Sequence, residues 1–294
     1  MAVARSLILD TNVFYNLGSG ALTTASFVQP GDTLFYSPVT VLELAGKWSN
    51  AAHATRKAAA QSILDSGATE LHDPEAFLTG RFGYPLAEPP ASYNHGVIAM
   101  ANSTSMAQLT AGVRDYTARV SRRVSVTTAN SWRVSVEGKW VSDMLALQKQ
   151  QIPKFATWYD PDPKRRKGAV PKLTGANKKS FLDDTQSAEW LQALLVASQD
   201  RALMGAKRGP HLVPTAATVA RLSKAIEDVA AYCAIYTQYL IRLMTDGALP
   251  EHNDSGDLEL LLYSVDEDHV VVTSEKKWKT LATKANCPRR VLLV

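Results

Sequence analysis

Short apolar runs lie near both ends of the chain, and each leads into polar residues at the point where a strand would end. The run at 270–272 is apolar on both faces, as expected for a central strand of a parallel sheet. We therefore expect strands from both termini to form one sheet. The runs cover residues 6–9, 34–36, 270–272 and 291–294, with a further candidate at 69–72.

The middle of the chain has helical periodicity instead. Between Pro214 and Gly247, apolar residues are spaced alternately by three and four positions, which places them on one face of a long helix. We expect this helix to pack in an internal helical layer, with a dimerising coiled coil as the alternative. The residues on this face are Val219, Leu222, Ile226, Val229, Cys233, Tyr236, Leu240 and Leu243.

Glycine and proline mark the remaining boundaries. Gly18-Ser19-Gly20 predicts a flexible turn, and residues 74–90 predict a loop that leads into an insertion. Further helices are predicted at 40–48, 54–65, 93–120 and 139–152. The stretch 124–136 is undecided, because β-branched and polar residues alternate there without turn signals at its ends. The expected fold class is α/β. Residues 1–84 and 251–294 would form one discontinuous domain with a central parallel sheet, interrupted by a mainly helical insertion at 85–250.

Composition narrows the class of protein. A chain of 294 residues that is 46% apolar can bury a large core. With only Cys233 and Cys287, it has neither a disulfide framework nor a set of thiolate zinc ligands. No run approaches the roughly 18 to 20 apolar residues of a membrane helix, and no signal-peptide pattern precedes the first strand. We therefore expect a soluble, cytoplasmic protein with no membrane partner.

The net charge of +4 is unevenly distributed. Residues 1–84 and 251–294 together hold 11 basic and 15 acidic residues, whereas 85–250 hold 21 basic and 13 acidic ones. This division suits a protein that binds cations in one part and a polyanion such as nucleic acid in the other. A helical surface that is simply rich in lysine and arginine explains the counts about as well.

Acidic residues stand at several junctions between predicted strands and helices. Asp10 ends the first strand, and Glu43 is expected in the first turn of a helix. Asp257 opens a helix near the end of the chain, and Glu275 follows the strand at 270–272. Carboxylates are hard oxygen ligands that suit Mg²⁺ or Mn²⁺, whereas the histidines are too scattered for a zinc site. The pattern predicts a magnesium or manganese site.

In this order and spacing, the acids resemble those of the PIN-domain nucleases. The resemblance covers residues 1–73 and 252–294 and leaves the middle of the chain unmatched. It implies a PIN-like three-layer domain and a metal-dependent nuclease, most often an endoribonuclease that prefers RNA to DNA. The family usually has aspartate where this chain has Glu275. The matching residues are Leu9-Asp10-Thr11-Asn12, Glu43, Asp257 and Val272-Thr273-Ser274-Glu275.

The resemblance also implies catalytic roles. Asp10 would bind the metal directly, and Glu43 and Asp257 would complete the ligand set directly or through water. Glu275 would lie in an outer shell or at a second metal ion, and Asn12 would orient Asp10 or water by hydrogen bonding. The expected supporting groups are Asp254, Thr273 and Ser274.

Each acid has a structural alternative. Asp254 and Asp257 could be N-caps or first-turn acids that offset the helix dipole, which is the favoured interpretation for Asp254. Glu43 could be a surface acid and Glu275 a solvated helix start. Asp10 is harder to explain in this way, because a carboxylate that closes a buried strand needs a partner.

Basic residues are concentrated beside a proline-rich stretch in the middle of the chain. We expect them to form a mobile basic loop that contacts nucleic-acid phosphates, with a solvated loop as the alternative. The aromatic residues Phe155, Trp158 and Tyr159 precede it and could stack on unpaired bases or belong to the core. The basic residues are Lys164, Arg165, Arg166, Lys167, Lys172, Lys178 and Lys179.

Two other functions remain open. The first is a catalytically inactive PIN-fold protein that binds nucleic acid or a protein, suggested by Glu275 and by the size of the insertion. The second is a phosphatase of the haloacid dehalogenase type, although that chemistry needs a second aspartate where Asn12 stands. A regulatory or antitoxin-like protein partner and a homo-oligomer are also compatible with the resemblance.

Overall fold

A computed structural model describes residues 4–46, 52–82, 94–112, 137–205 and 216–294. In this part of the chain, five parallel strands form one sheet in the order β3-β2-β1-β4-β5. This confirms the α/β class and the central parallel sheet. The strands are β1 (Ser6–Leu9), β2 (Thr33–Tyr36), β3 (Thr69–Glu70), β4 (His269–Thr273) and β5 (Val291–Leu293).

The first strand lies in the middle of the sheet. Leu7 of β1 pairs with Leu34 of β2 on one side and with Val270 of β4 on the other. The chain therefore moves outward from β1 through β2 to β3, and later adds β4 and β5 on the opposite side. The strand order reverses between β1 and β4. In open α/β sheets, ligands bind at the carboxyl ends of the strands beside such a reversal.

Helices flank the sheet, and their bounds follow the predicted pattern in most places. None of the helices within the described ranges is long and apolar enough to cross a membrane. They are α1 (Thr11–Gly18), α2 (Pro38–Ala45), α3 (His53–Asp65), α4 (Pro74–Arg81), α5 (Asn94–Asn102), α6 (Met106–Gly112), α7 (Gly138–Gln151), α8 (Phe155–Trp158), α9 (Gly175–Thr185), α10 (Ala188–Gly205), α11 (Ala216–Thr245), α12 (Asp254–Leu261) and α13 (Lys276–Lys284).

Alternate residues of the central strands face two separate core clusters. Leu7 and Leu9 of β1 pack with residues of α1, α3 and α5, whereas Ile8 packs with residues of α11, α12 and α13. Because side chains alternate across a strand, helices on both faces require strands that are apolar throughout. This explains the unbroken apolar run 270–272, whose Val271 lies opposite to its two neighbours.

Helices from the middle of the chain contribute to both clusters. Met100 of α5 and Leu109 of α6 lie in the first cluster, and Tyr239 and Leu243 of α11 lie in the second. The long helix predicted between Pro214 and Gly247 is confirmed as α11. Its buried face is wider than the predicted stripe, and the side chains before residue 228 lie outside the described ones. The division into a domain and an insertion stays a prediction.

Two local predictions were wrong. The first half of the expected loop at 74–90 is helix α4, because the Asp73 side chain accepts a hydrogen bond from the Ala76 backbone N–H at 3.0 Å and Pro74 occupies the first helical position. The helix expected at 93–120 is interrupted between α5 and α6, and its last residues lie outside the described ranges. The undecided stretch 124–136 also lies outside them.

Gly18 is a packing residue as well as a helix end. It is the last residue of α1, and a Cβ there would lie 2.7 Å from the backbone carbonyl carbon and oxygen of Ala58 in α3. Only glycine permits this approach between the two helices. The turn predicted around it does occur, with Gly20 at a φ of 76°.

Candidate functional site

Asp10 lies where β1 ends and α1 begins, and its side chain is only 2% exposed. It occupies the N-cap position of α1, but its carboxylate makes no capping hydrogen bond. Instead, Oδ2 accepts hydrogen bonds from Thr273 Oγ1 at 2.7 Å and from Asn12 Nδ2 at 3.3 Å. Residues of α1 and β4 thus fix the carboxylate at the reversal of strand order.

Glu43 is brought to the same place by α2. Ser37 caps this helix by accepting from the Val39 backbone N–H, and Pro38 is its first residue, so Glu43 lies in the second turn and not in the first as predicted. Its carboxylate accepts a hydrogen bond from Thr11 Oγ1 of α1. A Cβ on Gly256 of α12 would overlap Glu43 Oε1, so this glycine allows α12 to lie against the carboxylate.

Asp257 reaches the site from the first turn of α12 and is 5% exposed. Its Oδ2 accepts a hydrogen bond from Trp278 Nε1 at 2.9 Å and lies 4.0 Å from Lys277 Nζ. The neighbouring Asp254 is fully buried. It accepts hydrogen bonds from Tyr239 Oη at 2.7 Å and from Lys277 Nζ, and Asn253 occupies the N-cap position. Asp254 is therefore a first-turn acid of α12, one of the two favoured alternatives, and not its N-cap.

Glu275 stands between β4 and α13 and contacts the other acids indirectly. Its Oε1 accepts hydrogen bonds from Asn12 Nδ2 at 3.1 Å and from Asn253 Nδ2 at 3.3 Å, while Oε2 lies 3.3 Å from Lys277 Nζ. Its backbone N–H donates to Thr273 Oγ1 at 3.1 Å. Asn12 therefore links the carboxylates of Asp10 and Glu275.

One pocket of about 200 Å³ brings together three of the four acids predicted to bind a metal. Asp10, Asn12, Glu43 and Asp257 line it, and Glu275 is not among its lining residues. The pocket opens at the carboxyl end of β1, beside the reversal of strand order. Side chains that come from separate parts of the sequence thus share one cavity.

Burial and mutual repulsion raise the pKa values of these acids. Burial raises the pKa of Asp10 to about 6, with a further contribution from the charge of Glu275. Burial also raises the pKa of Glu43 to about 8, assisted by the charges of Asp10, Glu137 and Glu275. The pKa of Asp257 lies well above its usual value for the same reasons. A cation in the pocket would therefore relieve unfavourable charge.

The donor set fits magnesium or manganese chemically, since it consists of carboxylates and an amide. Within the described ranges, no three histidine, cysteine, aspartate or glutamate side chains are grouped closely enough to hold a metal ion as they stand. The reason is visible in the hydrogen bonds, because Thr273, Thr11 and Trp278 each hold a different carboxylate. Metal binding would require these side chains to turn towards a common point.

Several residues of the site were missed by the sequence analysis. Glu137 and Arg56 both line the pocket and are buried. Arg56 donates to the carbonyl oxygens of Leu44 and Gly46, which supports the C-terminal end of α2. Glu137 borders the undecided stretch 124–136, so no signal pointed to it. Lys277, two residues after Glu275, could have been suspected as its ion-pair partner.

The basic segment is exposed but structured. Arg166 is half-buried, with its guanidinium carbon 4.8 Å from the centre of the Tyr159 ring and its Nε donating to the Asp160 carbonyl at 2.7 Å. Phe155 is fully buried in a core cluster with Met244, so of the two alternatives it belongs to the core. The exposed cations are Lys164, Arg165, Lys167, Lys172, Lys178 and Lys179.

No protein-family model matches this chain, and neither the curated proteins nor the solved structures contain a significant match. The interpretation of the site therefore rests on its own geometry.

Proposed function

We propose that this protein is a PIN-like nuclease that hydrolyses phosphodiester bonds with Mg²⁺ or Mn²⁺, and that single-stranded or structured RNA is its substrate. One observation carries the proposal: Asp10, Glu43 and Asp257 come from three separate elements and line one pocket at the carboxyl end of the sheet. Gathering these carboxylates raises their pKa values and is unfavourable in itself. A cation bound in the pocket would offset this unfavourable accumulation of negative charge.

The residues of the pocket would have two roles, binding the cation and positioning the carboxylates. Asp10, Glu43 and Asp257 would hold the cation, which when bound lowers the pKa of water and neutralises charge on phosphate oxygens. Asn12 keeps the Asp10 carboxylate in place, and the Thr273 hydroxyl donates to the same oxygen. Thr11 donates to the Glu43 carboxylate. These hydrogen bonds keep each carboxylate at the pocket until a cation binds and the side chains turn towards it.

The exposed cations of the basic segment support a polyanionic substrate. Lysine and arginine side chains attract phosphates without reading sequence, and their contribution weakens as salt increases. Lys178 and Lys179 project from the same helix, α9, and both are exposed. The preference for RNA comes from the resemblance to the PIN-domain nucleases.

The test is to incubate the protein with labelled linear and circular single strands of RNA and DNA, in Mg²⁺, Mn²⁺ or chelator. We expect metal-dependent cleavage of RNA, including the circular form, and loss of cleavage in Asp10→Asn. Cleavage that persists in chelator, or that Asp10→Asn leaves unchanged, would contradict the proposal.

A second function is favoured by one observation. Each carboxylate already has a donor from the protein, and no three acids in the described part of the chain converge on one point. A catalytically inactive module that binds RNA through the basic segment would have this property. In that case RNA should bind equally to the wild type and to Asp10→Asn, with no cleavage by either.

A further inference from the structure

Lys277 places an ammonium group among three carboxylates. Its Nζ forms an ion pair with Asp254, lies 3.3 Å from Glu275 Oε2 and lies 4.0 Å from Asp257 Oδ2. The side chain is only 14% exposed. It therefore differs from a surface lysine that exchanges partners in solvent, because few other positions are open to it.

The surroundings of Lys277 hold it in this position. Asp254 is fully buried, and its Oδ2 also accepts hydrogen bonds from Tyr239 Oη at 2.7 Å and from the Glu251 backbone N–H at 2.9 Å. The Lys277 ammonium lies 4.7 Å from the centre of the Trp278 ring. Trp278 itself donates to Asp257 at 2.9 Å. The Lys277 ammonium, the Trp278 indole and the Tyr239 phenol thus pack together beside Asp254 and Asp257.

Glu275 has a protein donor on each carboxylate oxygen. Asn12 and Asn253 donate to Oε1, and Lys277 faces Oε2. Asp10, Glu43 and Asp257 line the pocket, whereas Glu275 does not. The acids therefore fall into a set that faces the cavity and one that is neutralised within the protein.

We propose that Lys277 takes the place of a second cation, so that the pocket binds one divalent ion on Asp10, Glu43 and Asp257. Glu275 is then the ion-pair partner of Lys277 and not a metal ligand. A second divalent ion beside Glu275 would lie within a few ångströms of the ammonium and would be repelled by it. This inference rests on the proposed function, and it assigns that function to one-metal chemistry rather than a two-metal site.

The test measures how many Mn²⁺ ions bind, using equilibrium dialysis with detection of free Mn²⁺ by electron paramagnetic resonance. We expect one Mn²⁺ per wild-type chain. Lys277→Met should bind a second ion, because Glu275 loses its counter-charge, whereas Lys277→Arg should remain at one. The matched control is Lys276→Met, which removes a charge from an exposed neighbour on α13 and should also remain at one.

The number of Mn²⁺ ions bound by the wild type can be measured without any variant. For the variant series, Asp254→Asn combined with Lys277→Met removes both members of the buried pair and keeps the comparison open if Lys277→Met alone is unstable. Two Mn²⁺ ions in the wild type would overturn the inference and leave the proposed function intact. An unchanged count and dissociation constant in the folded Lys277→Met or double variant would also overturn it. No Mn²⁺ binding by the wild type, together with no cleavage, would overturn the proposed function and the inference with it.

Discussion

The pocket has two sides that carry the same kind of side chain in different surroundings. On the side of β1 and α2, the carboxylates of Asp10 and Glu43 are held by hydroxyl and amide groups. On the side of α12 and α13, Asp254 and Asp257 face an ammonium, a phenol and an indole N–H. We call these the hydroxyl side and the lysine side. The comparison suggests that the Asp254–Lys277 pair of the lysine side stabilises the fold, while the hydroxyl side, together with Asp257, carries the charge that a cation would neutralise.

The largest expected effect tests the lysine side. Asp254→Ala should lower the free energy of unfolding by about 3 to 5 kcal/mol, because it leaves Lys277 and Tyr239 without their buried partner. Urea denaturation measures the change. The control is Asp143→Ala, whose ion pair with Lys139 is exposed and should contribute little. Equal losses of unfolding free energy in the two variants would show that the buried ion pair contributes no more stability than the exposed one.

The hydroxyl side should respond in the opposite direction. Asp10→Asn should weaken Mn²⁺ binding at least about 100-fold, and it should slightly stabilise the metal-free protein, because a neutral amide replaces a buried charge. Calorimetric titration gives the affinity and thermal denaturation the stability. If Asp10→Asn destabilised the metal-free protein as much as Asp254→Ala, the distinction between the two sides would be lost.

The pH dependence of stability should sharpen the comparison further. The pKa values of Asp10 and Glu43 are raised in the folded state, so their stabilising contribution is complete at low pH and is lost as the pH rises through about 6 and about 8. Between about pH 6 and pH 7.5, where Glu43 stays protonated in the folded state and is ionised in the unfolded one, the metal-free protein should therefore lose about 2 kcal/mol of stability. Saturating Mn²⁺ should remove this loss. A flat profile without metal would contradict the raised pKa values.

The smallest expected effect concerns the contact between the two sides. Gly256→Ala places a Cβ against Glu43 Oε1 and should displace that carboxylate, weakening Mn²⁺ binding about tenfold while leaving the fold intact. Gly80→Ala in α4 is the control, because its Cβ would meet no atom within 4 Å. The same titration compares them. Unchanged affinity in Gly256→Ala would mean that Glu43 does not contribute to binding.

Much of the sheet could be predicted from the sequence because its central strands are buried on both faces and therefore apolar throughout. Asp10 and Asp257 could be identified for a related reason, since each stands at a junction between predicted elements. The wrong turn assigned to Glu43 has a local cause: Pro38 starts α2 earlier than the apolar pattern indicates. Helix α4 was missed because Pro74 follows Asp73 in a segment whose composition resembles a loop.

The remaining parts of the site depend on contacts between distant elements. The ion pair of Lys277 with Asp254 forms only because α12 and α13 pack together, and the sequence around Lys277 contains no sign of that contact. In the sequence, Gly256 is indistinguishable from any other helical glycine, and its importance follows only from its contact with Glu43 of α2. Glu137 enters the pocket from a region without a recognisable periodicity. Such residues are determined by tertiary packing and not by local pattern.

The central position of β1 has a consequence for synthesis on the ribosome. Asp10 emerges well before Thr273, whose hydroxyl holds it and which lies 263 positions later. Until β4 has been translated, one edge of β1 stays without its strand partner, and the acidic pocket stays incomplete. A nascent chain interrupted before this strand therefore lacks the assembled site, which can form only after Thr273 has been synthesised.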